Sequence, residues 1–185
     1  MTNIFLASAS PRRKELLELI GYEFSIKVAN IDETIDPNLN LDSELLRLSR
    51  DKANAIKVSD DDIVIAADTI VTINGRILGK PKDHNDAYEM LKVLNNNSHQ
   101  VITSVCIKKG IEMYNFLDSA TIKFKNADQN DLLAYANSDE PLDKAGAYAI
   151  QGKASIFIDS IIGDYYTIVG LPVSKVHTIL KGLLR

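Results

Sequence analysis

The chain of 185 residues contains one cysteine, Cys106, which excludes an internal disulfide and any cysteine cluster for zinc. Its three histidines, His84, His99 and His177, fall at no metal-binding spacing, so zinc hydrolysis is unsupported. Neither Ser8 nor Ser10 has a nearby histidine in a nucleophile motif, and acyl transfer is weak on that ground. There is no internal repeat, no low-complexity tract and no linker rich in Pro, Gly or Ser. The opening run Asn3–Ala7 is too short for a signal peptide or a membrane span, which argues against a membrane partner. The net charge of −4 comes without a Lys/Arg block, so the chain lacks the positive surplus that displaces counterions from a duplex, and nucleic acid is not an expected partner. A lone cysteine and no recognisable leader set the expectation of a reducing cytoplasm.

The composition, 45% hydrophobic and 25% charged, is that of an ordinary globular protein with enough apolar material for a core. The length suits one large domain or two tightly joined lobes, and residues 1–185 are taken as one domain. Short β-like runs alternate with helical stretches. A strand at Asn3–Ala7 leads to a helix at Pro11–Ile20, closed by Gly21. A strand near Phe24–Ala29, a polar loop at Asn30–Asn40 and an amphipathic helix from Asp42 to Val58 follow. Ile63–Ala67 reads as a buried strand ending before Asp68. Ile70–Ile73 and Arg76–Leu78 read as a hairpin, since Asn74-Gly75 supplies the positive φ angles of a type I′ turn. A helix at Asn85–Leu94, capped by Asp83, precedes a long hairpin, Gln100–Lys109 and Met113–Phe124, turning near Gly110. A helix at Asp128–Ala136, β segments at Ala154–Ile161 and Tyr165–Val169, and a helix at Val173–Leu184 complete the pattern. The fold class is α/β with a mixed sheet and flanking helices.

Three constellations carry chemistry. The first is the turn Ser8-Ala9-Ser10-Pro11-Arg12-Arg13. Ser10 and Pro11 suit the start of a helix. Arg12 and Arg13 do not, because cations in the first turn oppose the helix dipole at roughly 0.3–1 kcal/mol each. A capping box would put Glu where Arg13 stands. A bound polyanion removes the conflict, since amides, hydroxyls and guanidinium groups would all face phosphate. Gly75–Pro81 is not a Walker loop, being one residue short with Pro81 where Ser or Thr should stand. Gly79-Lys80-Pro81 is either a phosphate-binding lysine on a rigid turn or a solvated turn.

The second is acidic and basic together. Asp68, at the end of an apolar run, is a metal ligand, a general base or a plain strand end. Glu33 is a second acidic candidate or a solvated loop acid. Lys52 falls in the stripe Leu45, Leu48, Lys52, Ile56 on a buried helix face, and either snorkels to solvent or points inward at an anion. The third is Asp143–Gly152, whose small residues permit close backbone approach and whose Gln151 can pair with a base edge. Cys106 is expected as a small core residue.

Taken in order, these segments resemble the Maf family of nucleotide pyrophosphatases. The match runs through Ser8–Arg13, Asp32-Glu33, Lys52-Ala53, Ala67-Asp68-Thr69-Ile70-Val71, Gly79-Lys80-Pro81, Asp139-Glu140-Pro141, Asp143–Gly152, Gly163-Asp164-Tyr165-Tyr166 and Val169-Gly170-Leu171-Pro172. Ala9 stands where many members have Gly, at a place where only the backbone is needed. The resemblance implies an inosine triphosphate pyrophosphatase-like fold with two lobes around a cleft. It implies hydrolysis of a nucleoside triphosphate to monophosphate and pyrophosphate with a divalent cation, Mg2+ or Mn2+. Asp68 matches the family's proton acceptor, and Arg12, Thr69 and Gln151 match its specificity positions. The tract ending Ala149-Ile150-Gln151-Gly152 is similar to the branch acting on dTTP and UTP, unlike the sister branch acting on 7-methyl-GTP.

On that reading the metal is held by Asp68 with Glu33, and Asp68 orients or deprotonates a water. Arg13, Lys52 and Lys80 neutralise the departing pyrophosphate, and Ser8 and Ser10 add hydrogen bonds. The role implied is cleansing of the nucleotide pool, with modified pyrimidine triphosphates as further targets. The chief rival is a non-enzymatic nucleotide-binding regulator of septum formation, which could use the same phosphate grip. A homodimer is an open arrangement.

Overall fold

A computed structural model describes residues 2–28 and 30–185. Its elements run β1 (Ile4–Leu6), α1 (Pro11–Leu19), β2 (Ser25–Ile26), α2 (Leu41–Ala55), β3 (Ile63–Ile73), β4 (Arg76–Leu78) and α3 (His84–Leu94). They continue with β5 (Ser98–Lys109), β6 (Glu112–Phe124), α4 (Gln129–Ala136), β7 (Ile158–Ile162), α5 (Tyr165–Val169) and α6 (Val173–Leu183). Short 3-10 turns lie at Pro141–Asp143, Ala145–Ala147 and Lys153–Phe157. The strand order is β2-β1-β3-β5-β6-β7, with β4 on β3. β1 is parallel to β2 and β3, whereas β3–β4 and β6–β7 are antiparallel, so the sheet is mixed as expected. Among the described residues no helix is long and apolar enough to cross a membrane.

The chain forms two compact units. Unit 1 comprises Met1–Asp68, Thr103–Asp118 and Gly170–Arg185. Its core brings Ala7, Val64 and Ala66 against Ala53 and Ile56 of the α2 segment, with Cys106 buried among them as a small hydrophobe. Burial pushes the Cys106 thiol up to about 11, so it stays protonated and inert. Unit 2 comprises Thr69–Ile102 and Ser119–Val169. Its core is aromatic: His99, Phe124 and Tyr148 meet edge to face, and Tyr135 meets Phe157 the same way at 5.6 Å.

Several elements agree with the sequence and several do not. Asn74 (φ 51) and Gly75 (φ 77) form the left-handed pair that closes the β3–β4 hairpin. Asp83 caps α3 by accepting from Asp86 N–H, as expected. Asp68, however, does not end a strand: β3 is continuous from Ile63 to Ile73. The β-branched run after Asp68 continues it, with β1 paired to its first half and β4 to its last residues. Tyr165–Val169 is a helix, not a strand. The Asp164 carboxylate accepts from Tyr166 N–H (3.0 Å) and Thr167 Oγ1 (3.3 Å), and this cap overrides the β propensity of the segment.

The strand expected from Ala154 begins only at Ile158, because the Gly152 carbonyl accepts from Ser155 N–H and winds Lys153–Phe157 into a 3-10 turn. The strand expected near Phe24 reduces to Ser25–Ile26, and Ala29 lies outside the described residues. Helix α2 stops three residues before Val58, where Ile56 turns extended (φ −86, ψ 113) and its side chain enters the core.

Candidate active site

The opening turn is built as a hydrogen-bonded knot. Ala7 N–H donates to the Ile65 carbonyl (2.8 Å), which extends β1 to the threshold of the turn. Ser8 is buried, and its Oγ accepts from Ser10 N–H (3.2 Å) and from Arg13 Nη1 (3.1 Å). Arg13 Nε donates to the Gly170 carbonyl (2.9 Å), so the guanidinium is held by two parts of unit 1 far apart in sequence. Ser10 takes the N-cap position of α1, but its hydroxyl makes no capping hydrogen bond, contrary to the simple capping expectation. No acidic residue occupies the first turn of α1, where acids would complement the dipole. Burial draws the Arg13 guanidinium below its ordinary value. The charge of Asp68 opposes that shift, the charge of Arg12 adds to it, and Glu33 opposes it. Arg13 therefore feels both carboxylates that the sequence singled out, and Arg12 lies half-buried beside it in α1.

Those carboxylates meet at Lys52. Helix α2 buries Leu45, Leu48, Lys52 and Ala53 on one face, and Lys52 points inward rather than snorkelling. Its Nζ lies 2.6 Å from Asp68 Oδ1 and 2.9 Å from Glu33 Oε2. The lysine side chain is 8% exposed, Asp68 17% and Glu33 57%, so the cluster grades from core to solvent. Glu33 is in a loop yet is not loosely placed. Thr34 donates to Asp32 through its amide (2.9 Å) and hydroxyl (2.6 Å), and Arg47 of α2 donates to the Thr34 carbonyl (2.9 Å). Those bonds, the hydroxyl's first, hold the Asp32 carboxyl below its usual range. Glu44, also on α2, accepts from Asp36 N–H (3.0 Å) and from Arg47. The Arg47–Glu44 pair thus lashes the loop just after Glu33, at Thr34 and Asp36, to the helix that carries Lys52. Sequence reading does not single out this pair; its i, i+3 spacing is a visible signal, but its loop partners are not.

Lys52 and the nearby Arg13 together balance the charges of Asp68 and Glu33, whose oxygens are the anionic donors of the cluster. Two hard oxygen donors fit a divalent ion that completes its shell with water and phosphate oxygens. Among the described residues no group of three or more His, Cys, Asp or Glu that could hold a metal ion comes together.

The remaining expected residues belong to unit 2. Thr69 follows Asp68 in β3 and is half-buried. Lys80 is exposed on the turn after β4, and that turn is pinned where the Gly79 carbonyl accepts from Gly146 N–H (3.0 Å). Gly146 has φ +69, and a Cβ there would come within 3.0 Å of the Val71 side chain, so only glycine suits this close approach. Gln151 is exposed at the centre of a turn closed by Gly152 N–H donating to the Ala149 carbonyl (3.0 Å). Within unit 1, then, Ser8, Ser10 and Arg13 form one group and Glu33, Lys52 and Asp68 another, linked by the field at Arg13.

The profile of the family described as Maf-like protein matches residues 3–183. The chain is 42% identical over 182 residues to the dTTP/UTP pyrophosphatase of Bacillus pumilus (strain SAFR-032), covering 98% of this chain and 96% of that one. It is 46% identical over 182 residues to the dTTP/UTP pyrophosphatase of Bacillus cereus (strain AH820), covering 98% and 95%. Among solved structures, the Staphylococcus aureus Ham1 protein aligns with a TM-score of 0.55 at 15% identity over 98% of this chain and 99% of that one. A HAM1 protein from Coxiella burnetii aligns with a TM-score of 0.52 at 16% identity over 98% and 100%. These last two likenesses are of fold, and they agree with the fold class expected from the sequence.

Proposed function

The chain belongs to the Maf family, and from that premise we propose that it hydrolyses dTTP and UTP to the nucleoside monophosphate and pyrophosphate, cleansing the nucleotide pool. The observation that carries this reading is the Lys52 ammonium between Asp68 and Glu33, with Arg13 in the field of both carboxylates at an acid-free helix start. A triphosphate is a polyanion, and clustered cations at a helix N-terminus are what it needs. Residues 1–185 act as one functional domain, and the place of action is the cytoplasm, where the triphosphate pool lies.

Each residue has a role in this reading. Ser8 and Ser10 offer hydrogen bonds to phosphate oxygens, and Arg13 supplies a fixed guanidinium fork. Asp68 and Glu33 would hold a divalent cation, magnesium or manganese, which when bound screens phosphate charge. Asp68 orients a water and accepts its proton as the oxygen attacks the α-phosphorus. The bond from that phosphorus to the bridging oxygen breaks, and the electron pair leaves with pyrophosphate. Arg13, Lys52 and Lys80 neutralise the charge that grows on the leaving group. Arg12, Thr69 and Gln151 set the choice of base, with an amide–base contact contributing roughly 1–3 kcal/mol by analogy with bidentate readout.

The test is a panel of normal and modified triphosphates with magnesium or manganese, with both products quantified. Equal amounts of monophosphate and pyrophosphate from dTTP and UTP are expected. Release of inorganic phosphate instead would make the protein a phosphatase. Saturable binding without product would make it a nucleotide-binding regulator.

A further inference from the structure

The turn that carries Gln151 is held at both ends by one pair of side chains. On its N-terminal side Ala149 N–H donates to Tyr135 Oη (3.2 Å). On its C-terminal side Lys153 N–H donates to Glu140 Oε2 (3.1 Å). The pair is closed by the Tyr135 hydroxyl, which donates to Glu140 Oε1 (3.0 Å). The two backbone amides flanking Ile150-Gln151-Gly152 are therefore tied to a single phenol–carboxylate unit, all of it in unit 2. The anchor itself is firm. Tyr135 is buried in α4 with its ring edge on Phe157, and burial raises its phenol above the ordinary value, so it remains a donor.

Gly152 records how closely the carboxylate lies against the turn. A Cβ there would stand 2.2 Å from Glu140 Oε1 and 2.5 Å from Glu140 Cδ. Any other residue would push the carboxylate off the backbone or the turn off the carboxylate. A surface turn that only reversed the chain would need neither a buried tyrosine nor a glycine pressed on an acid. This turn exposes two side chains, Gln151 and Lys153, of which Gln151 is the amide. An amide that reads a base edge must be held within a fraction of an ångström, and a loop achieves that only through a supporting shell.

We propose that Glu140 and Tyr135 are positioning residues for substrate choice, bracing the Ala149–Lys153 turn so that the Gln151 amide meets a pyrimidine base edge. The inference rests on the base-reading role of Gln151 given above. The brace touches no phosphate-binding group, so its loss falls on discrimination between bases.

The test compares kcat/KM for UTP and dTTP with that for CTP and ATP in the intact protein and in Q151A, Y135F, E140A and E140Q. Q151A is expected to shrink the preference for UTP and dTTP about tenfold, the lower part of what one amide–base contact supplies. Y135F and E140A shrink it by a similar factor, mainly through KM, and E140A in a Q151A background shrinks it no further. E140Q, which keeps an acceptor for one of the two donors, falls between E140A and the intact protein. Should E140A not fold, as judged by circular dichroism, Y135F and E140Q carry the comparison. A loss shared equally by all four nucleotides in Y135F and E140Q, beside a flattened preference in Q151A, overturns the inference alone. An unchanged preference in Q151A overturns the base-reading role and the inference with it.

Discussion

Lys52 Nζ lies 2.6 Å from Asp68 Oδ1, and Asp68 stands in the middle of a continuous strand rather than at its end. A strand interior holds its side chains in register, so the carboxylate is presented at a fixed point while its backbone is locked in the sheet. Asparagine at position 68 has the same shape and keeps an oxygen for Lys52 to donate to, but cannot take a proton from water. Asp68→Asn is expected to fold with an unchanged circular dichroism spectrum and to lose about a hundredfold or more of turnover, the range of a general base. Near-normal turnover in that variant would assign the base elsewhere.

Removing the lysine tests the other half of the pair. Lys52→Met strands two carboxylates in front of an apolar side chain. A fully buried pair broken this way costs about 3–5 kcal/mol, but Glu33 is 57% exposed and can turn to water. The expected cost is therefore about 2 kcal/mol, read as a lower urea midpoint at unchanged slope. Adding Glu33→Gln should recover part of it, because the repulsion between Glu33 and the less exposed Asp68, which the lysine had screened, is then gone. A pair of variants that simply add would show that the two carboxylates do not share the lysine.

Arg13 offers a sharper chemical test because its two contacts use different nitrogens. Nε reaches the Gly170 carbonyl and Nη1 reaches Ser8 Oγ, a fork that one ammonium cannot reproduce. Arg13→Lys keeps the charge and loses the fork. We expect an unchanged melting temperature within a few degrees and about a tenfold rise in KM for dTTP and UTP, measured by steady-state kinetics. An unchanged KM would mean that charge alone is needed there.

The parts of this site that are legible in the sequence are those written in local patterns. The stripe Leu45, Leu48, Lys52 places the lysine on the buried side because helix periodicity maps spacing onto a face. The Asn74-Gly75 turn is legible because left-handed backbone restricts residue choice. Asp68 reads as a strand end because a carboxylate looks costly inside an apolar run, yet the lysine that makes it tolerable comes from another element. Tyr165–Val169 reads as a strand because its side chains favour one, while the single cap at Asp164 decides in favour of helix. The Gly170 carbonyl under Arg13 and the Tyr135–Glu140 brace cannot be read at all. They depend on backbone atoms and on distances across the fold, which carry no residue signature.

His99 makes stability depend on pH. It is buried with Nε2 hydrogen-bonded to Tyr148 Oη at 2.7 Å, and burial pushes its imidazole down to about 4. The unfolded chain protonates this histidine near its ordinary value of about 6.5, whereas the folded protein resists until about pH 4. Between those values the unfolded state binds more protons, so stability rises with pH; it is fully present above the upper value and lost as pH falls to the lower. The difference is on the order of 3 kcal/mol. Urea unfolding from pH 4 to 7 should show this slope, and His99→Gln, which has no such titration, should flatten it. An equal slope in the variant would place the dependence on other groups.

The contact between Gly152 and Glu140 predicts a coupling of unusual sign. Gly152→Ala drives a methyl to 2.2 Å from Glu140 Oε1, and the surroundings must yield. Overpacking of this kind costs about 1–3 kcal/mol. Truncating the acid also costs stability, because Lys153 N–H and the Tyr135 hydroxyl each lose an acceptor. In the double variant, however, the methyl added at position 152 occupies space that the carboxylate has vacated. The combined loss should therefore fall short of the sum by about 1 kcal/mol or more, measured as a double-mutant cycle in urea. Strict additivity would mean that the turn moves away from Glu140 instead of resisting it. It would then be a soft segment, with no rigid support for an amide that reads a base.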